Sequence, residues 1–252
     1  MRYTVTENRA LTNHAYRMTL VGDTSTLTHP GQFVQVQVPG FYLRRPLSVF
    51  DFRAAEAGSM TLVYKALSHG TEAMAAMPVG TEVDVLPGLG NGFMPELPAA
   101  ARAKAPLLVG GGIGTPPLYG LCKTLLALGQ TPSVVLGFGS ASEVILQQEF
   151  LALGVPVQVT TADGSAGAKG FVTDAPVARS GGFDYVYTCG PEAMLKAVYD
   201  LCDRHGADGQ FSFEERMACG FGACMGCSCR TKYGSKRICK EGPVLVKEEI
   251  LW

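Results

Sequence analysis

Five of the chain's eight cysteines fall in one stretch, Ala218 to Lys240, which reads ACGFGACMGCSCRTKYGSKRICK. Thiols at this density can staple a chain, hold zinc or hold iron and sulfide. Stapling is disfavoured because Cys224, Cys227 and Cys229 are too close in sequence to tie distant elements together. Zinc sites favour paired C-x2-C units, often with histidine, and no histidine lies between Gly206 and Trp252. The spacing Cys219-x4-Cys224-x2-Cys227, with Cys239 after eleven more residues, matches the C-x4-C-x2-C run of plant-type [2Fe–2S] centres, in which a distant fourth cysteine completes the set. Cys229 could replace Cys227 on spacing alone; the usual x2 interval favours Cys227. Gly220, Gly222 and Gly226 let the backbone wrap tightly and aim amide N–H groups at cluster sulfides. Cys122 and Cys202 read as core residues on helices.

A one-electron cluster needs exchange partners, and two other segments supply candidate sites. LRRPLSVFD places Arg45, Pro46, Leu47 and Ser48 on one strand, and LVYKALSHGTEAM places Tyr64 and Lys65 ahead of Gly70 and Thr71. A strand-borne Arg can clamp a diphosphate, a hydroxyl can bond a flavin ring nitrogen, a Tyr can stack or bond at the isoalloxazine, and Gly70–Thr71 opens a helix whose N-terminus favours phosphate. VGGGIGTPP fails the G-x-G-x-x-G fingerprint because Thr115 takes the third glycine's place, and no acidic residue is recognised after the second strand to hold a ribose. Its glycines still permit close approach to a pyrophosphate, and TCGPEAML sets Cys189 and Gly190 at a second strand-to-helix turn.

The elements that must position these residues follow from texture. From Met1 to about Leu97, six short alternating runs separated by turn residues predict a small antiparallel barrel. MPELPAAARAKAP reads as a linker. From Pro106, strands alternate with helices over 116–129, 142–154, 172–178 and 191–206, which predicts a parallel sheet binding ligands at its carboxyl edge; the pattern is lost after Gly206. The fold class is therefore multidomain α+β: a barrel over 1–98, an α/β nucleotide-binding domain over 99–208 and a small cluster domain over 209–252.

With 21 Lys+Arg against 22 Asp+Glu, no basic excess points to nucleic acid. No apolar run approaches the ~20 residues of a membrane span, and the alternating N-terminus lacks a secretory h-region. A cytoplasmic location is expected, where thiols stay reduced. His14, His29, His69 and His205 show no ligand spacing, and no Ser/His/Asp or Cys/His set argues for a nucleophile.

The order of R-P-L-S, G-T, G-G-G-x-G-x-x-P and C-G-P-E-A-M resembles the ferredoxin–NADP reductase superfamily. With ERMACGFGACMGCSC…ICKEGPVL the resemblance narrows to the electron transfer subunits of class 1B (NAD-linked) dihydroorotate dehydrogenases and spans essentially the whole chain. It implies FAD at Arg45, Pro46, Leu47, Ser48, Val63, Tyr64, Lys65, Gly70 and Thr71. It implies a [2Fe–2S] cluster on Cys219, Cys224, Cys227 and Cys239, and NAD at Gly111, Gly112, Gly114, Cys189 and Gly190. It further implies an FMN-containing catalytic partner, a heterotetramer, and a path in pyrimidine biosynthesis from dihydroorotate through FMN, cluster and FAD to NAD⁺. Lys65 departs from the Arg common in the family and cannot make the same bidentate phosphate contact; the Cys227–Cys239 span is also short. Two other readings remain open: a reductase serving a glutamate synthase-like or bifurcating transhydrogenase enzyme, and a redox-sensing module that would need no flavin.

Overall fold

The computed structural model describes all 252 residues. Strands β1 (Arg2–Ala10), β2 (Ala15–Gly22), β3 (Phe33–Val36), β4 (Arg45–Arg53), β5 (Gly58–Lys65) and β6 (Glu82–Leu89) close into an antiparallel barrel in the order β1-β2-β5-β4-β3-β6. The alternation that predicted them is visible in β1 and β6, where Tyr3, Val5, Val83 and Val85 point inward and Arg2, Thr4, Glu82 and Asp84 point out. β3 breaks the rule by being buried throughout: Val34 and Val36 fill the barrel, while Phe33 packs under the C-terminal segment. Helix α1 (His69–Ala75) leaves β5, and the Pro/Ala-rich linker contains the short helix α2 (Pro98–Ala101).

The second layer is a seven-stranded sheet of β7 (Pro106–Gly111), β8 (Ser133–Phe138), β9 (Val157–Thr161), β10 (Ala168–Lys169), β11 (Tyr185–Cys189), β12 (Asp208–Ser212) and a later strand, β15 (Val244–Val246). Its order is β10-β9-β8-β7-β11-β12-β15, parallel except for β15 against β12. Residues of β7 alternate between its two cores. Leu108 packs with Leu118, Leu121 and Leu125 of α3 (Pro117–Ala127) on one face. Leu107 and Val109 pack with Leu195, Val198 and Leu201 of α6 (Glu192–His205) on the other. Successive strands are added on one side of β7 up to β10 and on its other side from β11, and this switch in strand order opens a crevice at the carboxyl ends of β7 and β11. The barrel docks on α3 through a Phe50–Tyr119 stack at 4.4 Å and a Lys123–Asp51 ion pair at 2.7 Å.

Three elements differ from expectation. The helix expected over 142–154 is a 3₁₀ turn at Ala141–Glu143 followed by α4 (Gln147–Ala152), divided at Leu146, whose φ of 63° lets both Ile145 and Leu146 reach the core. The helix expected over 172–178 is a 3₁₀ turn at Val172–Asp174 and then α5 (Pro176–Ser180), because Pro176 pushes Ala175 out of the helical region. The α/β pattern does not end at Gly206. β12 continues the sheet, its buried polar Gln210 satisfied by the Met94 backbone at 2.8 Å in both directions and by Tyr185 Oη at 3.1 Å. The tail then forms the hairpin β13 (Ser228–Thr231) and β14 (Gly234–Arg237), helix α7 (Ile238–Glu241) and β15. No helix is long and apolar enough to cross a membrane.

Candidate functional site

The barrel carries a seam where the R-P-L-S and V-Y-K segments lie. β4 pairs with β5 only from Val49 opposite Leu62 to Arg53 opposite Ser59. Beyond that point Arg45–Ser48 pair with β3 alone and Val63–Lys65 with β2 alone. The two strands splay, and the backbone donors and acceptors of these segments face each other without a ladder to join. A planar heterocycle with N–H and C=O groups on its edge matches such a seam, and Arg45 adds a cation. Its guanidinium donates to the Leu43 carbonyl at 2.6 Å and lies 5.1 Å over the Phe41 ring. Gly70 of α1 lies flat against that guanidinium, so a Cβ there would sit 2.6 Å from Arg45 Cζ. These features fit an FAD. Leu47 and Ser48 are half-buried and Pro46 exposed, while Val63 is buried against the second layer.

Two of the expected flavin contacts are committed elsewhere. The Tyr64 ring is inside the barrel, its hydroxyl donating to Asn8 Oδ1 at 3.2 Å and its pKa raised by burial and by nearby Tyr16, so the ring has no free face to stack on a flavin. Thr71 Oγ1 accepts the Leu67 and Ser68 amides at 3.0 Å each, capping α1. Asn8, unremarked in the sequence, secures the other end of α1 by donating to Met74 and Met77 carbonyls at 2.9 Å and to Ala75 at 3.2 Å.

At the sheet's crevice the two glycine turns abut: a Cβ on Gly114 would lie 2.6 Å from Gly190 Cα. Cys189 sits between them, its thiol held neutral by burial that pushes it up to about 12. Gly111 and Gly112 open onto a cavity of about 590 Å³ that runs across the ends of β7, β8 and β9, within the ~300–1,000 Å³ usual for ligand pockets. Gly190 also borders a second cavity, of about 250 Å³. At the barrel end of the larger cavity Lys65 Nζ meets Glu143 Oε2 at 3.0 Å. An acidic residue therefore does follow the second strand. It escaped notice because it comes five positions after Phe138, at the end of a 3₁₀ turn. The bare glycine backbones, the cavity and its position at the switch point fit a dinucleotide.

The cysteines group in two pairs. Cys219 Sγ accepts the amides of Ala223 at 3.3 Å and Cys224 at 3.4 Å. Burial alone would raise this thiol, but those amides, that of Phe221 and the Cys224 thiol together hold it down to about 6. Cys239 N donates to Cys227 Sγ at 3.4 Å, and both residues are buried. Burial, reinforced by Cys227, pushes the Cys239 thiol up to about 12. No three His, Cys, Asp or Glu side chains converge to hold one metal ion. Two thiol pairs instead fit a two-iron cluster, in which each iron takes two thiolates. The loop is braced by Arg237, which donates to the Gly222 carbonyl at 2.8 Å and is paired with Glu241. Cys229 faces the other way, into the smaller cavity beside Glu214, Glu215 and Trp252.

Residues 214–251 match the family model described as the iron–sulfur cluster binding domain of dihydroorotate dehydrogenase B. The chain is 42% identical over 259 residues to the electron transfer subunit of dihydroorotate dehydrogenase B (NAD⁺) from Shouchella clausii, covering 99% of this chain and 97% of that one. It is 38% identical to the same-named subunit from Fusobacterium nucleatum, covering 98% and 96%. Among solved structures, a chain of an NADH-dependent reduced ferredoxin–NADP oxidoreductase superposes with a TM-score of 0.87 at 28% identity, covering 99% of this chain and 90% of that one. Phthalate dioxygenase reductase, at 17% identity and a TM-score of 0.67 with 92% and 86% covered, shares the fold.

Proposed function

The chain belongs to the family of dihydroorotate dehydrogenase B electron transfer subunits, and we propose that it carries electrons from an FMN-containing dihydroorotate dehydrogenase subunit to NAD⁺ within a cytoplasmic complex. The observation that carries this reading is the position of the flavin seam. Lys65, at one side of the seam, lines the dinucleotide cavity. Gln35, the register partner of Pro46 at the other side, lies against Gly220 of the cysteine loop, where a Cβ would be 2.6 Å from its carboxamide. The flavin segments thus border both neighbouring sites, as electron counting requires: bound there, FAD exchanges a hydride equivalent with the nicotinamide and single electrons with the cluster.

In this reading Arg45 clamps the flavin diphosphate, Gly70 keeps the space its guanidinium needs, and Pro46, Leu47, Ser48, Val63, Tyr64 and Lys65 frame the seam, with Thr71 shaping α1. Gly111, Gly112, Gly114, Cys189 and Gly190 bring backbone close to the dinucleotide. Cys219 with Cys224 holds one iron, and Cys227 with Cys239 holds the other. Segments 1–98 and 99–208 act as the flavin and dinucleotide units, and 209–252 as the cluster unit, which also gives most of β12 and all of β15 to the dinucleotide sheet. None of the eight cysteines is joined in a disulfide, which suits a reducing compartment.

The test is NADH formation from dihydroorotate, measured anaerobically on the complex purified from its native cells. Cys224→Ser is expected to abolish it while added NADH still bleaches bound flavin, and Cys229→Ser to keep it. Wild-type complex that bleaches with NADH but yields nothing from dihydroorotate would overturn the partner assignment. The likeness to the reduced ferredoxin–NADP oxidoreductase chain would then direct the search to another reductase complex.

A further inference from the structure

Arg237 ends β14 and precedes α7, two residues before Cys239, and its guanidinium does more than brace the cysteine loop. Nη1 donates to the Gly222 carbonyl at 2.8 Å. That carbonyl shares a peptide group with the Ala223 amide, which donates to Cys219 Sγ at 3.3 Å. A trans peptide points its C=O and N–H in opposite directions, so one rigid unit has the guanidinium at one end and a ligand sulfur at the other.

Gly222 also reaches the second cysteine pair. Burial pushes the Cys239 thiol up, and the Gly222 amide, bonded to that sulfur, works against the rise. Only glycine suits the position: its φ is 89°, and a Cβ would lie 2.7 Å from Lys240 Cδ. The residue that Arg237 holds is thus tied to one sulfur of each pair.

The other donors of Arg237 are taken up by Glu241. Its carboxylate accepts from Nε at 3.0 Å, from Nη2, and from the Arg237 backbone amide at 2.6 Å. The anion therefore sits behind the cation, and Nη1 alone faces the loop.

A [2Fe–2S] cluster on four thiolates is anionic, and reduction adds one more negative charge. Hydrogen bonds to the ligand sulfurs and nearby charge set how easily that charge is accepted. A donor strengthens when it belongs to a hydrogen-bonded chain polarised by an ion, and the chain here runs guanidinium, carbonyl, amide, sulfur. Resting on the ligand set proposed above, we propose that Arg237 is a positioning residue that raises the cluster's reduction potential through the Gly222–Ala223 peptide, with Glu241 partly offsetting its charge. The pair adjusts the driving force for electron transfer without either residue ligating iron.

The experiment is a redox titration of the cofactor-loaded complex, following the reduced cluster by electron paramagnetic resonance and the flavins by absorbance. Arg237→Gln is expected to shift the cluster equilibrium toward the oxidised form about tenfold, the low end of what one opposite charge within ~4–6 Å does to an ionisation. For one electron that is a fall of about 59 mV. Glu241→Gln keeps an acceptor for the Arg237 amide and removes the opposing charge, so the potential should rise. Arg237→Lys keeps the charge and should fall between wild type and Arg237→Gln. A purely structural pair predicts otherwise: both glutamine variants break the same contact and would shift the potential in the same direction. Shifts of one sign, no shift in either variant, or an equal shift of the flavins overturns the proposal and leaves the cluster standing. If Arg237→Gln assembles no cluster, Glu241→Gln decides alone, a rise supporting the proposal and a fall or no change overturning it. A wild-type complex without iron and without the signal of a reduced cluster removes the ligand set as well.

Discussion

Gly70→Ala separates flavin binding from folding. Gly70 lies in α1 with ordinary helical geometry, not among the glycines at positive φ, so alanine is permitted there and gains up to about 1 kcal/mol of helix propensity. The added Cβ would meet the Arg45 guanidinium, 2.6 Å from Cζ, and nothing else is as near. A guanidinium ends a flexible side chain and can swing away at little cost to the fold; stability should change by no more than about 1 kcal/mol, the two effects opposing. What is lost is the cation's position over the seam. A hydrogen bond to a charged group is worth about 1.5–3 kcal/mol, so flavin should bind roughly 10- to 150-fold more weakly. The assay is flavin per polypeptide after gel filtration and Kd from fluorescence quenching on reconstitution, with Tm measured in parallel. Arg45→Ala should give the same loss, and the double variant no more than either alone, because both remove one interaction. A Gly70→Ala protein with wild-type Tm and flavin Kd within twofold of wild type would refute the idea that the Arg45–Gly70 contact positions the flavin.

The remaining perturbations test the supports of the site. Asn8→Ala removes three bonds to carbonyls at the end of α1, and about 2 kcal/mol of stability should go with them, a Tm drop of about 4–8 °C; a drop below 1 °C would show that α1 is held by packing alone. Lys65→Met and Glu143→Gln should show a coupling energy of about 0.5–1 kcal/mol in a double-mutant cycle of stability, and strict additivity would mean that the pair does not join barrel to sheet. Burial raises Cys122, Cys202 and Tyr185 to about 12, as burial and Asp23 do for Tyr3. These groups stay protonated in the fold when an unfolded chain would release protons. Their contribution is complete below about pH 9 and is lost as pH rises toward 12, so Tm should be level to pH 9 and fall above it. A Tm unchanged at pH 11 contradicts this.

The sequence displays what repeats or clusters locally. Barrel strands show in period-two alternation, the parallel sheet in strand–turn–helix succession, and the cluster in cysteine spacing, because each is set by neighbours in the chain. Features made by distant residues were invisible. The seam depends on which strand β4 and β5 each choose to pair with, and no local pattern encodes that choice. Tyr64 looked available for a flavin because alternation cannot say that Asn8 waits inside the barrel for its hydroxyl. β12 falls where the strand–helix pattern is lost, after Gly206, and only the Met94 backbone and Tyr185 make its polar Gln210 a core residue.

Electron transfer between fixed centres demands that the cluster segment not wander, and the tail meets that demand by belonging to both layers. β15 hydrogen-bonds to β12 within the large sheet, and Ile238 and Cys239 lie in the same core as Phe33 of the barrel. Asn91, just past β6, makes four hydrogen bonds to the tail: its side chain donates to the Val244 carbonyl at 2.7 Å and the Glu241 carbonyl at 3.3 Å and accepts from the Val244 amide at 3.1 Å, and its backbone amide donates to the Gly242 carbonyl at 2.7 Å. Gly90, at φ 74°, lies flat against Pro243, where any side chain would collide. These contacts come from the barrel rim next to the strand that borders the flavin seam, so the distance from seam to thiols is set by the same β-structure that shapes the seam. The cavity proposed for the dinucleotide is built differently, from the ends of β7, β8 and β9, the first turns of α6 and the loops around 139–143 and 170–173, with the Lys65–Glu143 pair on its barrel side. The fold thus fixes the one-electron contact within the chain and leaves the two-electron contact accessible, which is the division a subunit needs when its cluster stays in place and its nucleotide must enter and leave at every turnover.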